Sequence, residues 1–277
     1  MQKIPHPDRL VFPEAGIRRR DLLVYYVEVG PFLVQWAQGR PVTLRRYPHG
    51  LASEHFYQKR DKDGAPIFLH NLNDLLWWVG QGAVEFHAPL GYAAAPDVHD
   101  WAVLDLDPHP PAGWPEVVDV AHAVMRLLAL LHVPYLMKTS GKAGLHFYLA
   151  IEPCVNRTVV AVMRVVAEIV AGALPDVATV AWRKRDRGPR VYLDYLQNAG
   201  QRTTVMPFSV RATPQATVST PIGAHQLSVT PSAWTIKTVP DALRTGACRF
   251  EWSGPRVDLP RVAAHRGLWK GRPADGH

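Results

Sequence analysis

Cysteine is scarce in this sequence, and its positions form no pattern. Among 277 residues only Cys154 and Cys248 occur, and they make neither a CxxC pair nor a metal-ligand spacing. This excludes a disulfide-stapled secreted domain and a cysteine-based zinc site. We expect two reduced thiols, as in cytosolic proteins.

Long apolar runs are also missing. The longest candidate, residues 155–174, is interrupted by Arg157, Arg164 and Glu168, whereas a membrane-spanning helix needs about 20 predominantly apolar residues. Residues 1–10 lack the apolar core of a secretory signal peptide. These absences predict a soluble cytoplasmic protein without a membrane partner.

Charges of both signs are present, with a basic excess. Lys and Arg number 31 against 24 Asp and Glu, which gives a net charge of +7. The excess favours an anionic partner, either nucleic acid or a phosphorylated metabolite. Hydrophobic residues make up 47% of the chain, enough to bury a sizeable core and to exclude a disordered tail. We expect a single domain over residues 1–277, with residues 252–277 as a C-terminal extension.

Apolar periodicity predicts helices and strands that mix without a regular βαβ order. Predicted helices lie at residues 19–38, with a break at Gly30–Pro31, at 115–132 and 158–174, and after a cap at Asn71 or Asn73. Predicted extended segments lie at residues 42–47, 55–59, 67–69, 83–87, 101–107, 135–139, 145–151, 191–194 and 203–210. This mixture indicates an α/β (α+β) fold with a mixed or antiparallel sheet and helices packed on it.

Two carboxylates stand at the end of one apolar strand. Side chains alternate along a strand, so Asp105 and Asp107 share a face while Leu104 and Leu106 pack behind them. Adjacent carboxylates repel, which favours either protonation or a hard divalent cation such as Mg²⁺ or Mn²⁺. An ordinary acidic turn fits the same pattern. Asp194 ends a second apolar strand, and three converging carboxylates would suit two-metal phosphoryl transfer.

Two further segments carry polar groups suited to an anion. The turn at residues 138–146 has two glycines, whose exposed amides could cradle phosphate, together with Ser140, Lys142 and His146. It lacks the Walker A pattern, and an ordinary basic hairpin is the alternative. The basic run at residues 183–190 leads into the strand of Asp194 and could form an electropositive rim or a solvated loop.

Aromatic and basic residues alternate near residue 57. Phe56 and Tyr57 precede Lys59 and Arg60, and an aromatic ring beside a cation suits a stacked base with its phosphate. Core packing is the commoner use of such rings.

Together these segments resemble the polymerase domain of bacterial ligase D, a member of the archaeo-eukaryotic primase superfamily. The resemblance spans about residues 7–221 and keeps the motif order of that family. The motifs are HPDRLVFPEAG from His6, GRPVTLRRYP from Gly39, FYQK from Phe56, EFH from Glu85, DLDP from Asp105, SGKAGLH from Ser140, DYLQN from Asp194, PFSVRA from Pro207 and STP from Ser219.

The resemblance implies a two-layer primase-polymerase core with an RNA-recognition-motif-like palm. It implies that Asp105, Asp107 and Asp194 are catalytic and bind two Mn²⁺ or Mg²⁺ ions, with NTP or dNTP as substrate. It assigns nucleotide binding to Arg45, His87, Ser140, Lys142, His146, Arg187, Gln197 and Arg211. It assigns DNA contacts to Arg9, Arg19, Phe56, Tyr57 and Lys59.

The implied reaction is template-dependent, preferentially ribonucleotide addition to 3′-hydroxyl ends at gaps and double-strand breaks in end-joining repair. The implied partners are DNA ends and gaps with a 5′-phosphate, a Ku-type end-binding protein and a DNA ligase, in a bacterial, nucleoid-associated setting. The 277 residues show no ligase or nuclease motif, so a stand-alone polymerase and a domain of a longer protein are both consistent with the sequence.

The sequence departs from the family at several positions. Relatives often carry Lys where this chain has Arg9, Arg19 and Arg45, and arginine binds phosphate differently from lysine. Lys142 is displaced by one position relative to the family motif, so the sequence leaves its role at the triphosphate open. Residues 62–69 form a shorter segment than in many relatives, so template handling could differ.

Three alternatives remain open on the sequence. A primase or gap-filling polymerase would use the same residues. A metal-dependent nuclease or phosphodiesterase would use the carboxylates but not the triphosphate turn. A DNA-end-binding module would bind in a salt-sensitive manner without turnover.

Overall fold

The architecture is known from a computed structural model of the chain, which describes residues 4–200, 202–265 and 267. The strands are β1 (Leu10–Phe12), β2 (Ile17–Arg18), β3 (Thr43–Arg46), β4 (Phe56–Gln58), β5 (Ala83–Pro89), β6 (Gly91–Tyr92), β7 (Ala95–Pro108), β8 (Tyr135–Thr139), β9 (Leu145–Val155), β10 (Ala178–Thr179), β11 (Val191–Asp194), β12 (Thr203–Val205) and β13 (Pro221–Ile222). The helices are α1 (Arg19–Ala37), α2 (Leu72–Gly80), α3 (Trp114–Leu131), α4 (Asn156–Ala173), α5 (Val239–Arg244) and α6 (Leu259–His265). This mixed set of strands and helices confirms the predicted fold class.

The chain divides into two compact units, each built from segments that are separate in sequence. The first unit comprises residues up to 94, 138–142 and 203–250. The second comprises residues 95–137, 143–202 and those from 251 onward. The chain therefore passes between the units several times, including twice around the predicted phosphate turn.

The first unit contains a four-stranded sheet in the order β12-β5-β3-β4, with antiparallel neighbours. Arg45 lies opposite Glu85, and Leu44 lies opposite Phe86. Because opposed residues of an antiparallel pair share a face, Arg45 and Glu85 project together while Leu44 and Phe86 project to the other side. Leu44 and Phe86 are fully buried, and the Phe86 ring meets Tyr26 of α1 edge-on at 5.5 Å. The apolar side of this sheet is therefore the core, which leaves the polar face for chemistry.

The second unit contains the neighbouring strands β10-β11-β7-β9 and residues 135–137 of β8. Strands β10 and β11 run parallel, whereas β7 is antiparallel to both β11 and β9. Helices α3 and α4 pack against β7. Leu104 and Leu106 are fully buried, whereas the alternating Asp105 and Asp107 are more exposed. The alternation predicted from the sequence is thus confirmed, and it places both carboxylates on one face.

Several predicted boundaries agree with the structure. Asn71 caps α2, because its side-chain oxygen accepts hydrogen bonds from the backbone amides of Asn73 and Asp74 at 2.8 and 3.2 Å. Pro115 lies in the first turn of α3, and β11 occupies the four predicted residues. The predicted C-terminal extension, residues 252–277, contains α6, and its residues 266 and 268–277 lie outside the described residues.

Three local predictions are wrong. Helix α1 continues through Gly30–Pro31, and Gly30 packs closely against α2: a β-carbon there would lie 2.6 Å from Leu72 Cδ1. Residues 67–69 make isolated backbone bonds but no strand. The extended segment predicted for residues 203–210 ends at Val205, because Phe208 adopts a left-handed turn with φ of 65°.

The two cysteine thiols form no disulfide bond, as predicted. Cys154 and Cys248 are both free. Within the described part of the chain, no helix combines the length and apolarity needed to cross a bilayer.

Candidate active site

The strand register of the second unit brings three aspartates to one face. Asp194 of β11 lies directly opposite Asp105 of β7. Asp107 is two residues further along β7 and therefore points the same way. Directly opposed residues have β-carbons about 4.5–5.5 Å apart, so the carboxylates of Asp105 and Asp194 are close neighbours. Asp105, Asp107 and Asp194 are called the acidic face below.

Each carboxylate of the acidic face has a partner in the protein. Asp105 lies 3.3 Å from His146 Nε2, its opposite residue on β9. Asp107 forms an ion pair of 3.2 Å with Arg187. Asp194 accepts hydrogen bonds from the Gln197 side chain at 2.9 Å and from the Leu196 amide at 2.9 Å. The three groups are therefore oriented separately.

Tyr192 contacts both Asp194 and Arg187, the ion-pair partner of Asp107. It lies opposite Asp107, and its hydroxyl donates to Asp194 Oδ1 at 3.2 Å. Burial and the charge of Asp194 raise the pKa of Tyr192 well above its usual value, so the phenol keeps its proton and donates. The guanidinium of Arg187 stacks on its ring at 3.8 Å.

The chemistry of the acidic face fits hard divalent cations. Its donors are carboxylate oxygens, which Mg²⁺ and Mn²⁺ prefer. No three His, Cys, Asp or Glu side chains in the described ranges already converge as a metal-binding group. Metal binding therefore requires the side chains of Asp105 and Asp107 to turn away from His146 and Arg187. Rotation of side chains is sufficient for this change.

The first unit holds a second polar group, centred on a buried glutamate. Glu85 Oε2 accepts from His87 Nε2 at 2.9 Å, and Oε1 accepts from Arg45 Nη1 at 3.3 Å. Arg211 Nε lies 3.5 Å from the same Oε1. Arg45, Glu85, His87 and Arg211 are called the Glu85 cluster below. It combines several cationic side chains with one carboxylate, which suits an anionic ligand.

Protonation in the Glu85 cluster follows from burial and charge. Burial opposes ionisation of Glu85, but the hydrogen bond from His87 and the charge of Arg211 together hold its pKa well below the usual range. Burial lowers the pKa of His87, and the charges of Arg211 and Lys138 lower it further against the pull of Glu85. The cluster therefore contains an ionised Glu85 and, at neutral pH, a neutral His87.

The predicted phosphate turn is joined to this cluster. Arg211 Nη1 donates to the Ser140 carbonyl, and the Ser140 hydroxyl accepts from the Lys142 amide at 3.2 Å. Lys142 lies at the exposed tip, where partial desolvation and the charge of Arg211 lower its pKa. His146 belongs to the second unit with Asp105. The first part of the motif thus contacts Arg211 of the Glu85 cluster, and His146 contacts Asp105 of the acidic face.

Gly141 is the residue that allows this turn to approach Arg211. Its φ is +70°, and a β-carbon would lie 2.5 Å from Arg211 Cγ and 2.8 Å from the Ser219 amide nitrogen. Gly141→Ala is expected to lower the free energy of unfolding by about 1–3 kcal/mol, because the backbone is strained and Arg211 is displaced. Urea denaturation measures this. The matched control is Gly172→Ala near the end of α4, where nothing lies within 4 Å; equal losses in both variants would contradict the assignment.

The two N-terminal arginines meet at one backbone carbonyl. Arg19 Nη2 donates to the Pro48 oxygen at 2.9 Å, and Arg9 Nη1 donates to the same oxygen at 3.3 Å. Arg19 is 3% exposed, and burial together with the charges of Arg9 and Arg46 lowers its pKa. The pair forms an electropositive group in which Arg19 lies inside. Recognition of a 5′-phosphate by these residues stays a prediction.

The predicted DNA-contacting aromatics lie on the surface. Phe56 and Tyr57 are 46% and 60% exposed. The guanidinium of Arg46 lies 5.1 Å from the Phe56 ring, and that of Arg45 lies 5.8 Å from the Tyr57 ring. Lys59 is exposed beyond them. These rings are therefore not core residues, and they pair with cations as base-stacking surfaces do.

Sequence reasoning missed Glu85, Tyr192 and Asn198 as site residues. Glu85 and Tyr192 are each two positions from a predicted residue, so strand periodicity could have found them. Asn198 is fully buried and bonds to both the amide and the carbonyl of Val103 on β7. No local pattern in the sequence indicates that contact.

Comparison with known proteins identifies the family. Residues 18–250 match the family model of the LigD primase-polymerase domain. The chain is 31% identical over 260 residues to the bifunctional non-homologous end joining protein LigD of Bacillus subtilis, covering 88% of this chain and 42% of that protein. It is 30% identical over 239 residues to the multifunctional LigD of Mycolicibacterium smegmatis, covering 79% and 31%. The chain thus spans less than half the length of these relatives.

A solved structure gives the same result. The polymerase domain of Mycobacterium tuberculosis ligase D, in complex with DNA, superimposes with a TM-score of 0.82 at 25% sequence identity, covering 95% of this chain and 98% of that one. The chain therefore belongs to the LigD primase-polymerase domain family, whose reaction class is nucleotidyl transfer.

Proposed function

We propose that this chain is a template-dependent polymerase that adds nucleotides, preferentially ribonucleotides, to 3′-hydroxyl ends at DNA gaps and double-strand breaks. The observation that carries the proposal is the acidic face, where register aligns Asp194 with Asp105 and periodicity adds Asp107. Its occurrence in a chain of the primase-polymerase family supports nucleotidyl transfer over other uses of three carboxylates.

The Glu85 cluster and the phosphate turn would bind the triphosphate. Arg45 and Arg211 supply cationic donors, and Ser140 adds a hydroxyl. His87 would donate to a phosphate oxygen once its second ring nitrogen is protonated. These groups hold the nucleotide by charge and orientation, which is the main protein contribution to phosphoryl transfer.

Asp105, Asp107 and Asp194 would hold two divalent ions. When bound, such ions activate the primer 3′-hydroxyl and neutralise charge on the phosphates. The contribution of the chain is to orient the ligands: Tyr192 and Gln197 hold Asp194 in place. Arg187, released from Asp107, would remain beside the site as a cation for the nucleotide.

The DNA-binding part of the proposal uses the surface of the first unit. Phe56 and Tyr57 would stack on template bases, and Lys59 would meet the backbone. Arg9 and Arg19 would recognise the 5′-phosphate of the downstream strand. The relatives' role in non-homologous end joining and the neighbour's DNA complex support break repair together with a Ku-type end binder and a ligase activity.

Primer extension on a short gapped duplex tests this proposal. Reactions compare ribo- and deoxyribonucleotides, Mg²⁺ and Mn²⁺, and downstream strands with and without a 5′-phosphate. We expect ribonucleotide insertion that the 5′-phosphate stimulates. Insertion that ignores the phosphate would shift the function toward priming or simple gap filling.

A control reaction without nucleotide distinguishes a polymerase from a nuclease. Labelled DNA is incubated with metal alone. Shortening of the DNA would identify a nuclease, and salt-sensitive binding without either reaction would identify an end-binding module.

A further inference from the structure

Glu85 is a buried carboxylate beside the proposed nucleotide-binding residues, and four protein groups contact it. It is 1% exposed. Besides the hydrogen bonds from His87 and Arg45, it accepts a hydrogen bond from the Ala212 backbone amide at 2.9 Å and forms an ion pair with Arg211. Two of these partners lie on its own sheet, and two come from the segment after β12. One side chain thus ties together distant parts of the first unit.

The charge of Glu85 permits cationic groups to lie side by side. Arg45 and Arg211 are 17% and 11% exposed in their side chains, and both approach the same carboxylate oxygen. Cations that lose most of their hydration need a compensating anion. Glu85 supplies that anion before any substrate arrives, so the donors are already assembled.

Glu85 also determines which atom of His87 can meet a substrate. A carboxylate only accepts, so His87 must place a hydrogen on Nε2. The remaining ring nitrogen, Nδ1, is an acceptor in the neutral ring and must gain a proton before it can donate to a phosphate oxygen. Glu85, Arg211 and Lys138 act electrostatically on His87, while Thr43 and Val205 are its cross-strand neighbours.

We propose that Glu85 is a positioning residue that preassembles Arg45, Arg211 and His87 for the triphosphate and makes nucleotide binding take up a proton at His87 Nδ1. The inference rests on the proposed function, because the ligand is a nucleoside triphosphate. Glu85 itself contacts no substrate. Its effect is carried by the orientation of the three donors.

The first test is Glu85→Gln, which keeps the shape of the side chain and removes its charge. We expect kcat for ribonucleotide addition to fall about 10- to 100-fold, since donors displaced by an ångström lose their alignment. We expect the Kd for ATP with Mn²⁺, measured without DNA at a pH below the midpoint of the Kd–pH curve of either protein, to stay equal or become tighter, because the pocket gains one net positive charge. A merely structural role would instead weaken Kd and lower the melting temperature together.

The pH dependence gives a second, independent readout. Binding that takes up a proton weakens as pH rises from the pKa of His87 in the free protein to its higher pKa in the complex. Loss of the Glu85 charge lowers the pKa of His87 further. The midpoint of the Kd–pH curve is therefore expected at lower pH in Glu85→Gln than in the wild type. The matched control is Glu168→Gln, which removes an exposed glutamate paired with Arg164 on α4 and should leave both readouts unchanged.

The wild-type protein provides a test that does not depend on the variant folding. Nitrogen-15 NMR of the histidine rings, with His87→Gln for assignment, is expected to show neutral His87 protonated on Nε2, and protonation of Nδ1 when ATP and diamagnetic Mg²⁺ bind. A hydrogen on Nδ1 in the free neutral ring would overturn the proposal. If the wild type neither binds ATP nor extends primers, the proposed function fails. If the wild type does both and Glu85→Gln matches it in kcat and in pH midpoint, only the present inference fails.

Discussion

Asp107→Ala is expected to abolish nucleotide addition while leaving the protein folded. Asp107 projects from the end of β7 beside Asp105, and its side chain is 58% exposed. Its loss removes one oxygen ligand from the proposed metal site. A metal contribution of about 4 kcal/mol to transition-state stabilisation corresponds to a rate decrease of about 10³-fold. Single-nucleotide insertion on the gapped duplex measures the loss.

Stability should change little in this variant. Only Asp107 of this ion pair is exposed, whereas Arg187 is buried. Arg187 keeps its hydrogen bonds to the carbonyls of Ala181 and Trp182 and its contact with the Tyr192 ring, so we expect the free energy of unfolding to fall by no more than about 1–2 kcal/mol. The control is Asp119→Ala on α3, a partly exposed aspartate of the same unit, which should retain full activity. Mn²⁺ binding followed by electron paramagnetic resonance should weaken in Asp107→Ala alone. Extension within tenfold of the wild type would remove Asp107 from the metal-binding set.

Asn198→Ala is expected to produce the largest loss of stability. Asn198 is fully buried in the turn that follows β11. Its side chain accepts from the Val103 amide at 2.8 Å and donates to the Val103 carbonyl at 2.7 Å and to the Tyr195 carbonyl at 2.8 Å. The pairing of β7 with β11 ends at Asp105 and Asp194. Just beyond it, Asn198 provides hydrogen-bond partners for the backbone amide and carbonyl of Val103.

Removing this amide leaves buried backbone groups without partners. Each such group costs about 1–3 kcal/mol, so we expect a loss of about 2–4 kcal/mol in the free energy of unfolding. Urea denaturation followed by circular dichroism measures it. Activity should fall as well, because the same turn carries Gln197, which holds Asp194.

A comparable asparagine of the same unit serves as the control. Asn156 begins α4 and donates one exposed hydrogen bond to Asp97 at 3.1 Å. Asn156→Ala should cost less than about 1 kcal/mol, since water replaces an exposed partner. Equal destabilisation by the two substitutions would mean that Asn198 is not the anchor of this turn.

Local elements and most of the site residues follow from the amino-acid sequence alone. Period-two alternation places Asp105 and Asp107 on one face, and Asn71 marks the start of α2, because both features depend on neighbours within a few residues. The motifs and their order along the chain are sufficient to indicate the family. The same local reasoning places a break at Gly30–Pro31 inside α1, because the packing of Gly30 against Leu72 leaves no local signal.

How these residues meet depends on the tertiary structure. The register of β11 against β7 aligns Asp194 with Asp105, although the two are far apart in sequence. Tertiary packing also buries Glu85 between Arg45 and Arg211. It brings Ser140 against Arg211 and His146 against Asp105, and it buries Arg19. Periodicity follows from backbone geometry that each segment carries alone, whereas register, burial and charge pairing depend on which distant segments pack together, and that is fixed only when the whole core forms.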